Sequence, residues 1–325
     1  MTTFHRYADV TAALADPRLV PVPAGPGRPG TMAWLRATVA RFSAGDAHAR
    51  RRALLESDLS ALDPAALRTA AATAPGDPRH AVLRTLAAAL GLAEPDAVAE
   101  AVTVAAGTYF GGEDPAADAA VAWLLPRMTR PGSGAPDGPG GGAGGPGGAG
   151  GQDVNHPAGE GDLPGDPVPT GGTADADTLE VAANRIGLLI QACDATAGLI
   201  ANARRTGTGT RSADGSGPHV GVDDLLRETL RHDPPVPVTR RVAAADTEIG
   251  GVPVPAGTPV TLDIAAANRD PALFADPDTF DPARRGPDPL TFGGAPRVCP
   301  ARAHALALAA GVLEGARTPS ERTPS

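Results

Sequence analysis

Apolar residues recur at three- and four-residue spacing along most of the chain, the period of helices that bury one face. Residues 5–17 (HRYADVTAALADP) predict a short helix ended by proline, and residues 31–57 a longer one broken at 43–46. Ala- and Leu-rich segments at 64–74, 78–92, 95–109 and 114–128 predict further helices. From Asp177 to Arg205 apolar positions cover most of the helix circumference, the pattern of a long central helix enclosed by its neighbours. A short helix, VDDLLRETLRH, comes next, and after Val236 the character changes to short β-like pieces, VTRRVA, TEIGG and VPVPAGTPVTLDI. Gly250–Gly251 and Ala256–Gly257 are the turn signals between them. Residues 268–290 are rich in Pro and Asp and predict an irregular meander, and a last helix is expected over 300–317. The fold class is therefore mainly α with a small β region late in the chain, without an internal repeat.

Two stretches carry no such pattern. Residues 131–172 are dominated by Gly and Pro, cannot bury a core, and are expected to be a disordered insertion. The stretch lacks a GxxxxGK pattern, which excludes a phosphate loop. A second polar Gly/Ser stretch covers 206–219.

Composition narrows the picture. At 325 residues the chain is long enough for a large core, and with 3% aromatics that core must be built from Ala, Val and Leu. All 28 basic residues are Arg, and the net charge of -9 argues against a nucleic-acid ligand. Two cysteines, Cys193 and Cys299, make no disulfide framework and fit a reducing cytoplasm. The N-terminus lacks an apolar signal core, and no uninterrupted apolar run reaches the ~18 residues of a membrane span. The expectation is a cytoplasmic protein.

Four groups of residues stand out as candidate chemistry. Cys299, in TFGGAPRVCPARAHALA, lies between a Gly/Pro-rich loop and a helix start. Free backbone N–H groups and the helix dipole favour thiolate there. The bland alternative is a small buried hydrophobe. A single thiolate with Arg297 two residues before it suits haem, the sulfur on the iron and the guanidinium on a propionate. Zinc would require more Cys or His at short spacing. Glu228 and Arg231, three residues apart, share one helical face, and by spacing alone they are an exposed pair worth a few tenths of a kcal/mol. His48 and Arg52, four apart in HARRR, also share a face, with Arg50 and Arg51 read as solvated. Asp194 and Thr196 lie inside the apolar central helix, where a buried carboxylate is costly unless paired, hydrated or used.

Taken in order, these segments resemble one family. FGGAPRVC resembles the haem-ligand loop of cytochrome P450, ETLRHDPP its ExxR helix, and NRDPALFADPDTFDPAR its meander. RYADVTAALADPR and AHARRR resemble its early helices, and IQACDATAGLI its long central helix. The resemblance implies a P450-like helical fold, a single domain over 1–325 with the Gly/Pro-rich insertion at about 131–173. It implies haem b with Cys299 as proximal iron ligand. His48, Arg52, Arg241 and Arg297 would hold propionates, and Phe292 would pack beside the thiolate. Glu228, Arg231 and Arg284 would form a buried ion network, and Asp194 with Thr196 would deliver protons. The implied activity is a bacterial monooxygenase oxidising a small organic molecule in secondary metabolism. Electrons would come from NAD(P)H through a ferredoxin or flavodoxin and its reductase, docking near Arg50–Arg52.

The chain also departs from the family pattern. Ala195 stands where an alcohol normally follows the acid, and Ala295 and Ala301 replace loop glycines. Low-complexity sequence replaces the lid helices, and both ends are short, which predicts an incomplete β-sheet. These departures support an alternative: a non-catalytic haem- or partner-binding relative acting as a recruitment platform.

Overall fold

The computed structural model describes residues 2–129, 176–207 and 220–316. The Gly/Pro-rich insertion, nearly all of the second polar stretch and the last residues lie outside the described residues.

The helical order follows the hydrophobic pattern closely: α1 (Tyr7–Ala15), α2 (Met32–Thr38), α3 (Gly45–Ser60), α4 (Pro64–Thr73), α5 (Pro78–Ala89), α6 (Pro95–Ala106), α7 (Pro115–Thr129), α8 (Ala176–Gly207), α9 (Val222–His232), α10 (Ile264–Ala267) and α11 (Arg302–Gly315). Local chemistry sets several starts. Asp63 and Asp77 each accept two backbone N–H bonds ahead of Pro64 and Pro78, which need no N–H partner at the first helical position. The break expected at 43–46 is a 3-10 turn, Ala40–Phe42, followed by Gly45 at φ 56° as α3 begins.

α8 is the axis of the main core. Ile186, Leu189, Cys193, Leu199 and Ile200 are buried against α5, α6, α7, α9 and α11. By length and composition this helix would suffice to cross a membrane, but 56% of its most apolar window is buried within the protein, where its side chains form the core. α4 and α11 cross closely because Gly311 faces Arg68 and Ala71: a Cβ there would come within 2.2 Å of the Arg68 carbonyl oxygen. Gly311→Ala is expected to force these helices apart and lower stability by about 1–3 kcal/mol in urea denaturation. An unchanged midpoint would contradict this packing.

Among the described residues six short strands, β1 (Thr2–Phe4), β2 (Leu19–Val20), β3 (Val238–Ala243), β4 (Thr247–Ile249), β5 (Val252–Val254) and β6 (Pro259–Asp263), form a four-stranded sheet of order β1-β6-β3-β2 and a β4–β5 hairpin. β6 runs parallel to β1 and antiparallel to β3. Gly250 and Gly251, at φ 56° and 80°, make the hairpin turn, whose two positive φ values match the twist of its strands. The sheet is fuller at its N-terminal side than the sequence suggested, because Thr2–Phe4 and Leu19–Val20 supply its two edges. These two strands are too short to show alternation and, unlike β4 and β5, are not joined by a Gly–Gly turn, which is why the pattern missed them. Phe4, Val10, Leu14, Leu19, Val260 and Leu262 form a second core between the sheet and α1.

Candidate haem-thiolate site

Cys299 sits at the end of a tight loop that precedes α11. A 3-10 turn, Leu290–Phe292, leads into Gly293 at φ 77°, a conformation that disfavours larger residues. The chain folds back so that the Cys299 N–H donates to the Phe292 carbonyl at 2.8 Å, and the Arg297 N–H to the Gly294 carbonyl at 2.9 Å. Neither alanine that replaces a glycine is strained: among the described residues only Glu94 and Asp276 are non-glycines at positive φ, and Ala301 has φ -93°. The side chain of Phe292 packs at the margin of the main core, with the Arg302 guanidinium 5.7 Å from its ring centre.

The protonation of Cys299 differs from the sequence argument. Burial pushes the thiol up, while the Ala301 backbone N–H, Arg52 and Arg41 act in the opposite direction and only partly offset it. Burial thus opposes the helix start at this sulfur, and a metal ion bound there would favour the thiolate. Cys193, buried within α8, is pushed up to about 11 by burial.

Around Cys299 the fold gathers basic side chains from four separate segments. His48 and Arg52 come from α3, Arg241 from β3, Arg297 from the loop, and Arg41 from the 3-10 turn before α3. Arg297 donates to the Ser43 carbonyl at 3.1 Å and Arg52 to the Val298 carbonyl at 2.7 Å, tying the loop to α3. Arg52 has Glu56 as its counter-ion at 2.7 Å. Arg41, Arg241 and Arg297 have no carboxylate within ion-pair distance among the described residues; Arg241 bonds only to Thr239 and to its neighbour's carbonyl. Burial and mutual repulsion lower Arg241 and Arg297 to about 10. His48 is lowered to about 4, mostly by burial and then by Arg297 and Arg52, so it is a neutral imidazole at pH 7. Buried cations facing one another without acids are costly unless an anion joins them. A planar group with two carboxylates and an iron for the sulfur meets that demand, so the residues present fit haem.

A second network supports the loop from behind. Glu228 and Arg231 are 1% and 2% exposed and pair at 2.6 Å, so the exposed pair expected from spacing alone is corrected. Arg284 reaches Glu228 at 3.4 Å, and the Asp281 N–H donates to it at 3.0 Å. Arg231 also donates to the carbonyls of Asn268, Pro277 and Thr279, pinning the meander. Buried Asn268 carries this order onward: it accepts from the Leu290 N–H at 2.8 Å and donates to the Leu230 carbonyl at 3.1 Å, so the turn entering the cysteine loop is clamped to α9. Asn268 belongs to the meander, where an Asn among Pro and Asp gives no sequence signal of burial.

Two expectations do not hold. Asp194 is not a buried acid: its side chain is 53% exposed and pairs with Arg79 of α5 at 2.8 Å, because its position on α8 faces α5 and solvent. Thr196, two positions on, is buried at 2%. Asp194→Ala is expected to change stability by less than about 1 kcal/mol in thermal or urea melts; a larger loss would show that the surface pair matters. The Arg50–Arg52 turn is not a free basic patch either. Arg50 and Arg51 both pair with Glu180 at 2.7 Å, joining α3 to α8, and Arg52 is tied to Glu56. Glu180 and Glu56 together offset two of the three guanidinium charges, which weakens the steering of an acidic partner by this turn.

Comparison with known proteins agrees with this geometry. The family model described as Cytochrome P450 matches residues 222–302, the segment from α9 through the cysteine loop. In this segment the chain is similar to the cytochrome P450 family. Among curated proteins it is 47% identical over 76 residues to the luteothin monooxygenase of Streptomyces thioluteus, covering 23% of this chain and 19% of that one. It is 45% identical over 79 residues to the biotin biosynthesis cytochrome P450 of Bacillus subtilis, covering 24% and 20%. The matched segment thus spans about a fifth of the length of these relatives. The solved structure of P450BioI in complex with an acyl carrier protein ligated to hexadec-9Z-enoic acid aligns over 96% of this chain and 83% of its own, with a TM-score of 0.65 at 20% identity. At that identity the likeness establishes a P450 fold.

Proposed function

We propose that this chain binds haem b through Cys299 and oxidises a small organic molecule with O2. The observation that carries the reading is the set of guanidinia gathered without acids around the loop thiol, Arg241 buried and Arg41 and Arg297 half-buried. Haem bound through a thiolate would supply the oxygen-activating chemistry. The chain's own residues would do the rest. Arg241, Arg297 and neutral His48 would bind propionates, with Arg52 holding the loop carbonyl of Val298. Glu228, Arg231, Arg284 and Asn268 would keep the loop at one geometry. Thr196, buried on α8, is the hydroxyl left to hold a proton-carrying water. Electrons would come from NAD(P)H through a ferredoxin or flavodoxin and its reductase. The whole would be one domain in the bacterial cytoplasm, acting in secondary metabolism.

Expression with a haem precursor, followed by pyridine haemochrome titration and a reduced CO spectrum, tests the reading. One haem per chain with the red-shifted band of thiolate ligation is expected. Colourless protein after hemin addition refutes it.

A second reading is favoured by one observation. The acid–alcohol pair is not assembled, since Ala195 has no hydroxyl and Asp194 faces Arg79 at the surface. A haem- or partner-binding relative without turnover would have no need of that pair. NAD(P)H consumption coupled to product formation with a surrogate redox chain separates the two: uptake of haem without coupled oxidation supports the second.

A further inference from the structure

Arg41 matches none of the motifs in the sequence, yet it stands inside the basic cluster. Its guanidinium is partly buried, makes no hydrogen bond among the described residues, and lies 6.0 Å from the ring centre of Phe42 and 5.8 Å from that of Phe110. Phe110 is 68% exposed, high for a large apolar ring. Beside it Tyr109 is fully buried, its ring 5.3 Å from Phe42 and 5.1 Å from Phe110, and its hydroxyl has no hydrogen-bond partner among the described residues. A buried hydroxyl without a partner is costly, and so is a cation without an anion.

Haem does not account for both. Haem b brings two propionates. Three guanidinia, Arg41, Arg241 and Arg297, await anions, and Arg52 already has Glu56. One positive charge is left over. Arg241 is on β3 and Arg297 on the cysteine loop, whereas Arg41 lies against Phe42 and Phe110, the two rings that flank Tyr109. A cation, a hydroxyl donor and an apolar shelf together suit a carboxylate attached to an apolar body.

We infer that Arg41 and Tyr109 form the acid-recognising end of the substrate site, with Phe42 and Phe110 as its apolar wall, and that the substrate class is small arylalkyl or alkyl carboxylates. The inference rests on the haem reading above. Arg41 would accept the carboxylate charge and Tyr109 would donate one hydrogen bond to it.

Calorimetric titration of the purified holoprotein with 4-phenylbutyrate and with its neutral amide, 4-phenylbutyramide, tests this. The acid is expected to bind about tenfold or more tightly than the amide, since hydrogen bonds to charged groups are the stronger kind. Arg41→Gln should abolish the preference, Arg41→Lys should retain part of it, and Tyr109→Phe should reduce it several-fold. Equal affinity for acid and amide in the wild type overturns the inference, as does a preference that survives in Arg41→Gln. Loss of haem stoichiometry in Arg41→Gln and in Arg41→Lys, with no acid preference in the wild type, would reassign Arg41 to a propionate. Because calorimetry needs no chromophore, a protein that takes up no haem but prefers the acid would sink the haem reading alone.

Discussion

Glu228→Ala is expected to lower folding stability by about 3–5 kcal/mol, among the largest losses a single substitution in this chain should produce. The variant would leave Arg231, 2% exposed, as a buried charge without its carboxylate, and would orphan the Asp281 N–H. Arg284 would lose its only acidic partner among the described residues. The damage should not stay local, since Arg231 holds the meander through three carbonyls and Asn268 passes that order to the turn before Cys299. Glu228→Gln keeps the shape and should lose less. A paired Glu228→Leu, Arg231→Met chain removes both charges and should be more stable than Glu228→Ala, because breaking a buried pair costs more than replacing it. Urea denaturation of the three chains checks the order. A Glu228→Ala chain within about 1 kcal/mol of wild type would contradict the buried network.

Cys299→Ser is expected to abolish the thiolate signature in the reduced CO spectrum while leaving the fold intact. Serine is nearly the same size, and the loop is held by main-chain bonds from Cys299 to Phe292 and from Arg297 to Gly294, which the change does not touch. What it removes is the soft, ionisable sulfur that iron takes as an axial ligand. Haem affinity should fall but not vanish, because Arg241, Arg297 and His48 remain. Circular dichroism and urea melts should match wild type within about 1 kcal/mol. A Cys299→Ser protein with an unchanged CO spectrum would mean that another residue ligates the iron, and Cys299 would revert to the buried hydrophobe that its half-buried thiol also permits.

Much of this molecule is readable in one dimension. Helix segments, the buried character of α8, the Gly250–Gly251 turn and the meander follow from spacing, capping residues and turn chemistry, all of which act over a few neighbouring residues. The cysteine loop was legible for the same reason, since its residues are contiguous. The edge strands Thr2–Phe4 and Leu19–Val20 were not legible, because they gain meaning only from the distant strands they pair with.

Charges divide along the same line. Spacing alone made Glu228–Arg231 an exposed pair; the meander packed over it, from residues about fifty positions away, made it a buried one. Asp194 went the other way: the apolar neighbours of α8 implied burial, and the angle at which α8 meets α5 turned it to Arg79 and solvent. Arg41 and Tyr109 had no motif at all and became a candidate acid site only when the turn before α3 folded against the end of α6. Hydrogen-bond rings, caps and turns close over a few residues and are written in the chain itself. Burial and the pairing of charges depend on which surfaces meet, and that is decided only when segments far apart in the chain pack together.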